Sequence, residues 1–181
     1  MYESLEGPTK DRIVQRIASE CAAIVYTAEK NLEPFRALGL ESLPKLSRIS
    51  NALPNMPIHP VDRSSLGIAD DAFMMCLVSR AIPGKGWQEG IEAVELARKS
   101  SGKDIHLVLV GEGGEYDRLK TMYPVDHIHF VGFRKNLRDY YAASDIGFLP
   151  TRFPGESFPL TLIDCLAVGK PMLATHLGEI P

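Results

Sequence analysis

Glu156 and Asp164, eight positions apart, are the first residues in this sequence whose types and spacing could do chemistry. Glu156 lies in the loop Gly155-Glu156-Ser157-Phe158-Pro159, and Pro159 suits the first turn of a helix, where its missing N–H would have no partner. Leu160, Ile163, Leu166 and Ala167 then fall at helical spacing, as a stripe expected to face a core. Gly169 and Pro171 stop the helix before the apolar run Met172-Leu173-Ala174. This puts Glu156 at the helix mouth and Asp164 about one turn inside. Free N–H groups at a helix N-terminus attract an anion, and a carboxylate beside them accepts hydrogen bonds from hydroxyls. Phosphate plus hydroxyls points to a nucleotide or a sugar phosphate. The same two acids could instead be the acid/base pair of a glycoside hydrolase, and their spacing fits two contacts to one ligand at least as well. Asp164 beside Ile163 and Cys165 reads as a buried carboxylate in need of a partner, for which a ligand hydroxyl is one candidate.

Arg80 and Lys85 are the matching cations, in Ser79-Arg80-Ala81-Ile82-Pro83-Gly84-Lys85-Gly86. The glycines let backbone pass close to a ligand, and the two charges could grip a diphosphate, the arginine by its planar fork and the lysine as a point charge. Two solvated charges in a turn are the plainer reading. Gly111-Glu112-Gly113-Gly114 resembles a dinucleotide fingerprint only superficially, since the spacing is incomplete and a tight strand-to-helix turn explains it equally well. Phe133 and Arg134, after the strand-ending Gly132, could stack on or bond to a base, or the ring could simply fold onto the surface. The five histidines show no ligand spacing; His127 and His129 alternate as residues on one face of a strand do. No metal site and no Ser–His–Asp order stands out.

The elements that must position these groups follow from apolar patterning. Phe73–Val78 is an unbroken apolar run, as expected of a parallel strand buried on both faces. Trp87, Ile91, Val94 and Ala97 mark the next helix, ending near Gly102. Strands follow at Ile105–Val110, His127–Val131 and Ile146–Leu149, with helices near Glu115–Met122 and around Leu137, Tyr140 and Tyr141, and a last strand at Met172–Thr175. Strand and helix alternate with short joints, which predicts an α/β fold with a doubly wound parallel sheet. In such sheets ligands sit at the carboxyl ends of the strands, near the switch in strand order, and the candidate residues fall in those loops. Upstream, the pattern predicts a helix over 10–20 with Ile13, Val14 and Ile17 on one face, a strand at Ala23–Tyr26, a helix from Glu29 to Leu38, and a strand at Leu46–Ser50. Residues 51–60, rich in proline and asparagine, read as a linker. The expected division is a remnant of a preceding domain and hinge over 1–60 and a ligand-binding domain over 61–181.

Bulk composition narrows the class. A net charge of −3 argues against a nucleic-acid partner, which calls for a basic stripe. No apolar run approaches membrane-spanning length, and Met1-Tyr2-Glu3-Ser4-Leu5-Glu6 lacks the order of a signal peptide. Cys21, Cys76 and Cys165 have no metal or disulfide spacing and read as buried free thiols. A cytoplasmic protein is expected.

Together these motifs resemble the C-terminal, nucleotide-sugar-binding domain of group 1 (family 4) glycosyltransferases of the GT-B fold, over roughly residues 73–181. Ser79-Arg80 with Lys85-Gly86 looks like the family's pair that binds the donor diphosphate, and Gly111-Glu112-Gly113 like its Gly-x-Gly turn. Val131-Gly132-Phe133 looks like the loop whose backbone reads the base. Glu156 to Asp164 looks like its Glu-x7-Glu motif, in which the first acid contacts the donor sugar and the second the ribose. Asp164 is one methylene shorter than the usual glutamate, Ser79 replaces a glycine, and Ala52 replaces the glycine of the hinge. The resemblance implies catalytic roles for Arg80, Lys85 and Glu156. It implies donor contacts from Gly111, Gly132, Phe133, Arg134, Glu156, Ser157, Phe158, Leu160 and Asp164, with no metal or other cofactor. It further implies a retaining hexosyl transfer to a glycan or lipid-linked acceptor, and it admits peripheral association of the parent with the inner face of a membrane. Most of the N-terminal domain and the final helices of that family have no counterpart here, so the chain reads as a piece of a longer enzyme, inactive alone. An epimerase, or a phosphorylase with a pyridoxal-phosphate lysine, on the same architecture, a non-catalytic nucleotide-binding module and, least favoured, a glycosidase are the alternatives.

Overall fold

The computed structural model describes residues 7–180. The absent leader order of residues 1–6, and Pro181, lie outside the described residues. The chain forms two compact units, one of residues 7–52, 154–159 and 176–180, the other of 53–153 and 160–175.

In the first unit, α1 (Pro8–Glu20) is followed by β1 (Ile24–Tyr26), a 3-10 turn Glu29–Leu32, the single-turn helix α2 (Glu33–Arg36) and β2 (Leu46–Arg48). The strands pair in parallel, Val25 opposite Ser47. The helix expected over Glu29–Leu38 is thus two pieces. Pro34 supplies no N–H and seeds a new first turn at Glu33, while Asn31 Oδ1 accepts from the Ala28 N–H at 2.9 Å and holds the turn before it. The core is Val14, Ala18, Leu32 and Phe35. Ile13 and Ile17, expected on the buried face of α1 with Val14, lie outside it and are exposed.

The second unit is a five-stranded, all-parallel sheet of order β5-β4-β3-β6-β7: β3 (Phe73–Val78), β4 (Ile105–Val110), β5 (Ile128–Gly132), β6 (Ile146–Leu149) and β7 (Met172–Ala174). Between them run α3 (Trp87–Ser101), α4 (Tyr116–Met122), α5 (Leu137–Ala143) and α6 (Leu160–Ala167). Side chains alternate across the strands. Met75, Leu77, Leu107 and Leu109 meet Trp87, Ile91, Val94 and Leu119 of α3 and α4 on one face. Met74, Cys76, Val78, Val108 and Val110 meet Tyr140, Tyr141 and Cys165 of α5 and α6 on the other. Each such fully buried side chain contributes about 1.5–3 kcal/mol. Helices on both faces make the sheet doubly wound, and the order turns at β3, with β4 on one side and β6 on the other.

Residues 53–60 are irregular yet tied to this second unit, His59 N–H donating to Asp139 Oδ1 at 2.8 Å. Among the described residues no helix is long and apolar enough to cross a membrane. Cys76 and Cys165 are buried as expected, but Cys21, at the C-terminal end of α1, is exposed.

One element is rotated from expectation. The buried residues of α6 are Asp164 and Cys165, whereas Leu160 and Leu166 are 47% and 56% exposed, and Ala167 is exposed. The cause is Gly147 of β6: a Cβ there would come within 2.6 Å of Cys165 Sγ, so the helix approaches the sheet on its cysteine side.

Candidate functional site

The carboxyl end of β3 is where the strand order turns, and the loop leaving it carries Arg80 and Lys85. That loop is built by close backbone approaches. Ala81 N–H donates to Glu112 O at 2.8 Å, and Glu115 N–H donates back to Ala81 O at 2.9 Å. Gly111 (φ 144°) and Gly113 (φ 155°) sit against the carbonyls of Ser79 and Ala81, where any Cβ would collide. The glycines between β4 and α4 therefore clasp the β3 loop, a structural reason for a pattern that in sequence resembles a phosphate fingerprint. Ser79, where the family pattern has glycine, accepts from Trp87 Nε1–H at 2.9 Å and anchors the start of α3.

The loop leaving β6 packs against the same place. Gly86 (φ 82°) lies on Pro150 so closely that a Cβ would strike the Pro150 carbonyl, and Arg152 N–H donates to Gly84 O at 2.7 Å. Phe153 then presents its ring to both cations. Lys85 Nζ stands 4.6 Å, and Arg80 Cζ 5.9 Å, from the ring centroid. Sequence reasoning passed over Phe153; its only signal was an aromatic in the loop after a strand at the ligand edge of the sheet.

Further along the same edge, Gly132 ends β5 with φ 79° and its carbonyl accepts from Gly111 N–H at 2.9 Å. Phe133 is 57% exposed. Arg134 donates through Nε to Tyr140 Oη at 3.1 Å and through Nη1 to the Phe133 carbonyl at 2.8 Å, so its fork is oriented.

Asp164 of α6 is buried, and one of its carboxylate oxygens has a protein partner. Arg138 of α5 donates through Nε to Asp164 Oδ1 at 2.9 Å, and through Nη1 to the Pro54 carbonyl at 2.7 Å. Sequence spacing could not show this pair, because its members lie 26 positions apart.

Glu156, Ser157 and Phe158 belong to the first unit, so the two acids read from sequence as one motif fall in different units. Glu156 is buried, Ser157 and Phe158 half-buried. The loop is held at three carbonyls. Lys30 Nζ donates to Pro154 O at 2.6 Å, Glu179 N–H to Ser157 O at 2.8 Å, and Asn51 Nδ2 to Phe158 O at 3.1 Å. Gly178 (φ 60°) lies over the carbonyls of Glu156 and Ser157, where a Cβ would come within 2.7 Å of each. Glu179 in turn accepts from Glu29 N–H at 2.7 Å and from Arg48 at 3.2 Å. Sequence reasoning missed Lys30, Asn51 and Glu179, which have no local pattern.

Other chemistry is weak. Among the described residues no group of three or more His, Cys, Asp or Glu could hold a metal ion. His127 precedes β5, beside Glu95, and is no member of a strand face; His129 instead meets His106, Nε2 to Nδ1 at 2.8 Å. Burial pushes the thiols of Cys76 and Cys165 up, Cys165 to about 11, which leaves them poor nucleophiles at neutral pH.

A doubly wound parallel sheet with two cations on the loop at its switch point is an α/β domain of the architecture that takes ligands at that edge. The family model described as "Glycosyl transferases group 1" matches residues 59–181, and the chain belongs to that family, its fold being the C-terminal half of the GT-B type. The chain is 28% identical over 123 residues to the N-acetyl-alpha-D-glucosaminyl L-malate synthase of Bacillus anthracis, covering 66% of this chain and 31% of that protein. It is 26% identical over 181 residues to an exopolysaccharide phosphotransferase of Streptomyces coelicolor, covering 98% of this chain and 18% of the relative. Among solved structures, Anabaena HepE in complex with UDP and glucose matches with a TM-score of 0.79 at 20% identity, over 98% of this chain and 50% of that one. The sucrose-phosphate synthase of Thermosynechococcus elongatus matches with a TM-score of 0.74 at 21% identity, over 99% of this chain and 47% of that one. The chain thus spans less than a third of these curated relatives and about half of the solved chains.

Proposed function

We infer that this chain binds the nucleotide-sugar donor of a glycosyltransferase. The observation that carries the reading is Arg80 and Lys85 together on the loop at the switch point, in a member of this family. HepE, solved with UDP and with UDP-glucose, supports a nucleoside diphosphate sugar as the class of ligand.

In this reading Arg80 and Lys85 bind the diphosphate and neutralise the charge that grows on it as the glycosidic bond breaks, which is electrostatic leaving-group stabilisation by side chains. Gly111 and Gly132 present backbone to the donor at the strand ends, and Phe133 with Arg134 meets the base. Glu156 contacts the sugar, while Ser157, Phe158 and Leu160 bring the N–H groups entering α6 toward a phosphate. Asp164 serves the ribose, with Arg138 fixing its carboxylate. The reaction is a retaining hexosyl transfer, and its acceptor a glycan or lipid-linked saccharide. No metal or organic cofactor enters the scheme.

The test is a titration of the chain with UDP, GDP and ADP by ligand-observed NMR. The expected result is saturable binding of one of them, lost in Arg80→Ala and weakened in Glu156→Ala. Absence of binding by all three at millimolar concentration overturns the reading.

One observation favours a second reading, a nucleotide-binding module without transfer activity: the carboxylate of Asp164 is already committed to Arg138. Diphosphate binding without discrimination between UDP and UDP-hexose would favour that module.

A further inference from the structure

We propose that Arg134, with Tyr140 as its positioning residue, selects the base of the donor. It takes a base that carries a ring carbonyl, uracil or guanine, in preference to adenine. The role rests on the donor-binding reading above and narrows it.

Arg134 follows Gly132 at the carboxyl end of β5, and its guanidinium is fixed from two sides. Nε donates to Tyr140 Oη at 3.1 Å, and Nη1 to the Phe133 carbonyl at 2.8 Å. Tyr140 is 6% exposed and belongs to the core cluster of β3, β4, α5 and α6, so its phenol oxygen is a fixed point rather than a second mobile side chain. The guanidinium lies over the end of the strand, for a Cβ added at Gly132 would stand 3.8 Å from Arg134 Nη1. Both acceptors are uncharged, and among the described residues no carboxylate pairs with Arg134. Its charge, both N–H groups of Nη2 and one of Nη1 remain for a ligand. An arginine held this way has less side-chain freedom to lose on binding.

The two carbonyls that flank it each accept a bond already, Gly132 O from Gly111 N–H at 2.9 Å and Phe133 O from Arg134 itself. Phe133, 57% exposed, offers a ring to stack on. Stacking alone takes any base, because every base has a π face. Discrimination therefore falls to the guanidinium, which donates and cannot accept. Guanine offers it O6 and N7, a bidentate acceptor pair, and uracil offers its carbonyl oxygens. Adenine carries an amino group where guanine has O6, so that donor faces donor.

The test compares the unsubstituted chain with Arg134→Met, which keeps the stem and loses the donors, and with Tyr140→Phe, which keeps the ring and loses the acceptor. Affinities for UDP, GDP and ADP are measured by titration on each protein. The readout is the ratio of affinities within one protein, which a general loss of folding or of phosphate binding leaves in place. In the unsubstituted chain the better of UDP and GDP is expected to bind about tenfold tighter than ADP. That ratio is expected to fall to about one in Arg134→Met, and by about threefold in Tyr140→Phe. ADP bound as tightly as the better of the other two in the unsubstituted chain overturns the selection and leaves the donor reading standing. An unaltered ratio in Arg134→Met overturns it too. With all affinities unchanged the base is read by the backbone, and with all three lowered alike the guanidinium meets phosphate. An unaltered ratio in Tyr140→Phe overturns the positioning role of Tyr140. Failure of the unsubstituted chain to bind UDP, GDP or ADP removes the donor reading, and this role with it.

Discussion

Arg138 and Asp164 form an ion pair whose side chains are only 13% and 12% exposed, the arginine reaching from the first turn of α5 to the buried side of α6. The same guanidinium holds the Pro54 carbonyl, so one residue joins two helices and the segment preceding the sheet. Breaking such a pair strands a charge, whereas replacing both partners removes the desolvation cost as well. Arg138→Ala is expected to cost about 2–4 kcal/mol in urea unfolding. Arg138→Leu with Asp164→Leu is expected to cost clearly less than the two single changes summed. Additive losses would show that the pair is not coupled.

The clasp between the β3 and β4 loops makes a second expectation. Gly111→Ala and Gly113→Ala each push a Cβ into a carbonyl at a positive φ, and each is expected to lower stability by about 2–4 kcal/mol. Gly114→Ala, with nothing within 4 Å of its added Cβ, is expected to stay within about 0.5 kcal/mol. Denaturant midpoints of the three variants check the contrast.

Ser79 gives a third. It accepts from Trp87 Nε1, and the indole is 2% exposed. Ser79→Gly, which restores the family residue, is expected to cost about 1–2 kcal/mol because a buried donor loses its partner. Trp87 is the sole tryptophan, so its fluorescence reports the change directly. An unshifted emission maximum with unchanged stability would contradict it.

Stability should also depend on acid. Burial, then the neighbouring His106 and His127, lowers the His129 pKa from 6.5 to about 4, against a smaller opposing effect of Asp126. Asp104, itself paired with Arg98, sits beside His106, and Glu95 beside His127. Between pH 6.5 and 4 the unfolded chain binds a proton at this position that the folded chain does not, so stability rises with pH across that window and falls as pH drops through it. The expected loss from this site is about 1–2 kcal/mol by pH 4. His129→Gln should flatten that part of a Tm-against-pH curve; an unaltered slope would rule the site out as its source.

The sheet was legible because Phe73–Val78 and Ile105–Val110 are unbroken apolar runs closed by turn residues, and a parallel strand buried on both faces leaves that mark. The loops at its carboxyl edge followed from the strands. Less was legible where pairing is distant. The apolar stripe of α6 suggested Leu160 and Leu166 as its core side, but Asp164 was drawn inward by Arg138 and Cys165 by the bare backbone of Gly147. Neither cause has a periodicity. The support of the Glu156 loop was hidden as well: its carbonyls are held by Lys30, Asn51 and Glu179 of the first unit, far away in sequence. Phe153 escaped notice for a related reason: an isolated aromatic in a proline- and glycine-rich loop has no pattern until Lys85 is seen beside it.

The support of the Glu156 loop by Lys30 and Asn51 bears on how such proteins can be recombined. A chimera joined at residues 52 and 53 would exchange the first fifty or so residues with those of a relative while keeping Glu156 itself. It would nonetheless replace Lys30 and Asn51, donors that hold carbonyls of the loop. Grafts at that junction therefore transmit a conformational change to an acid outside the exchanged segment. Compatibility between parents turns on whether residues equivalent to Lys30 and Asn51 travel with the loop they support.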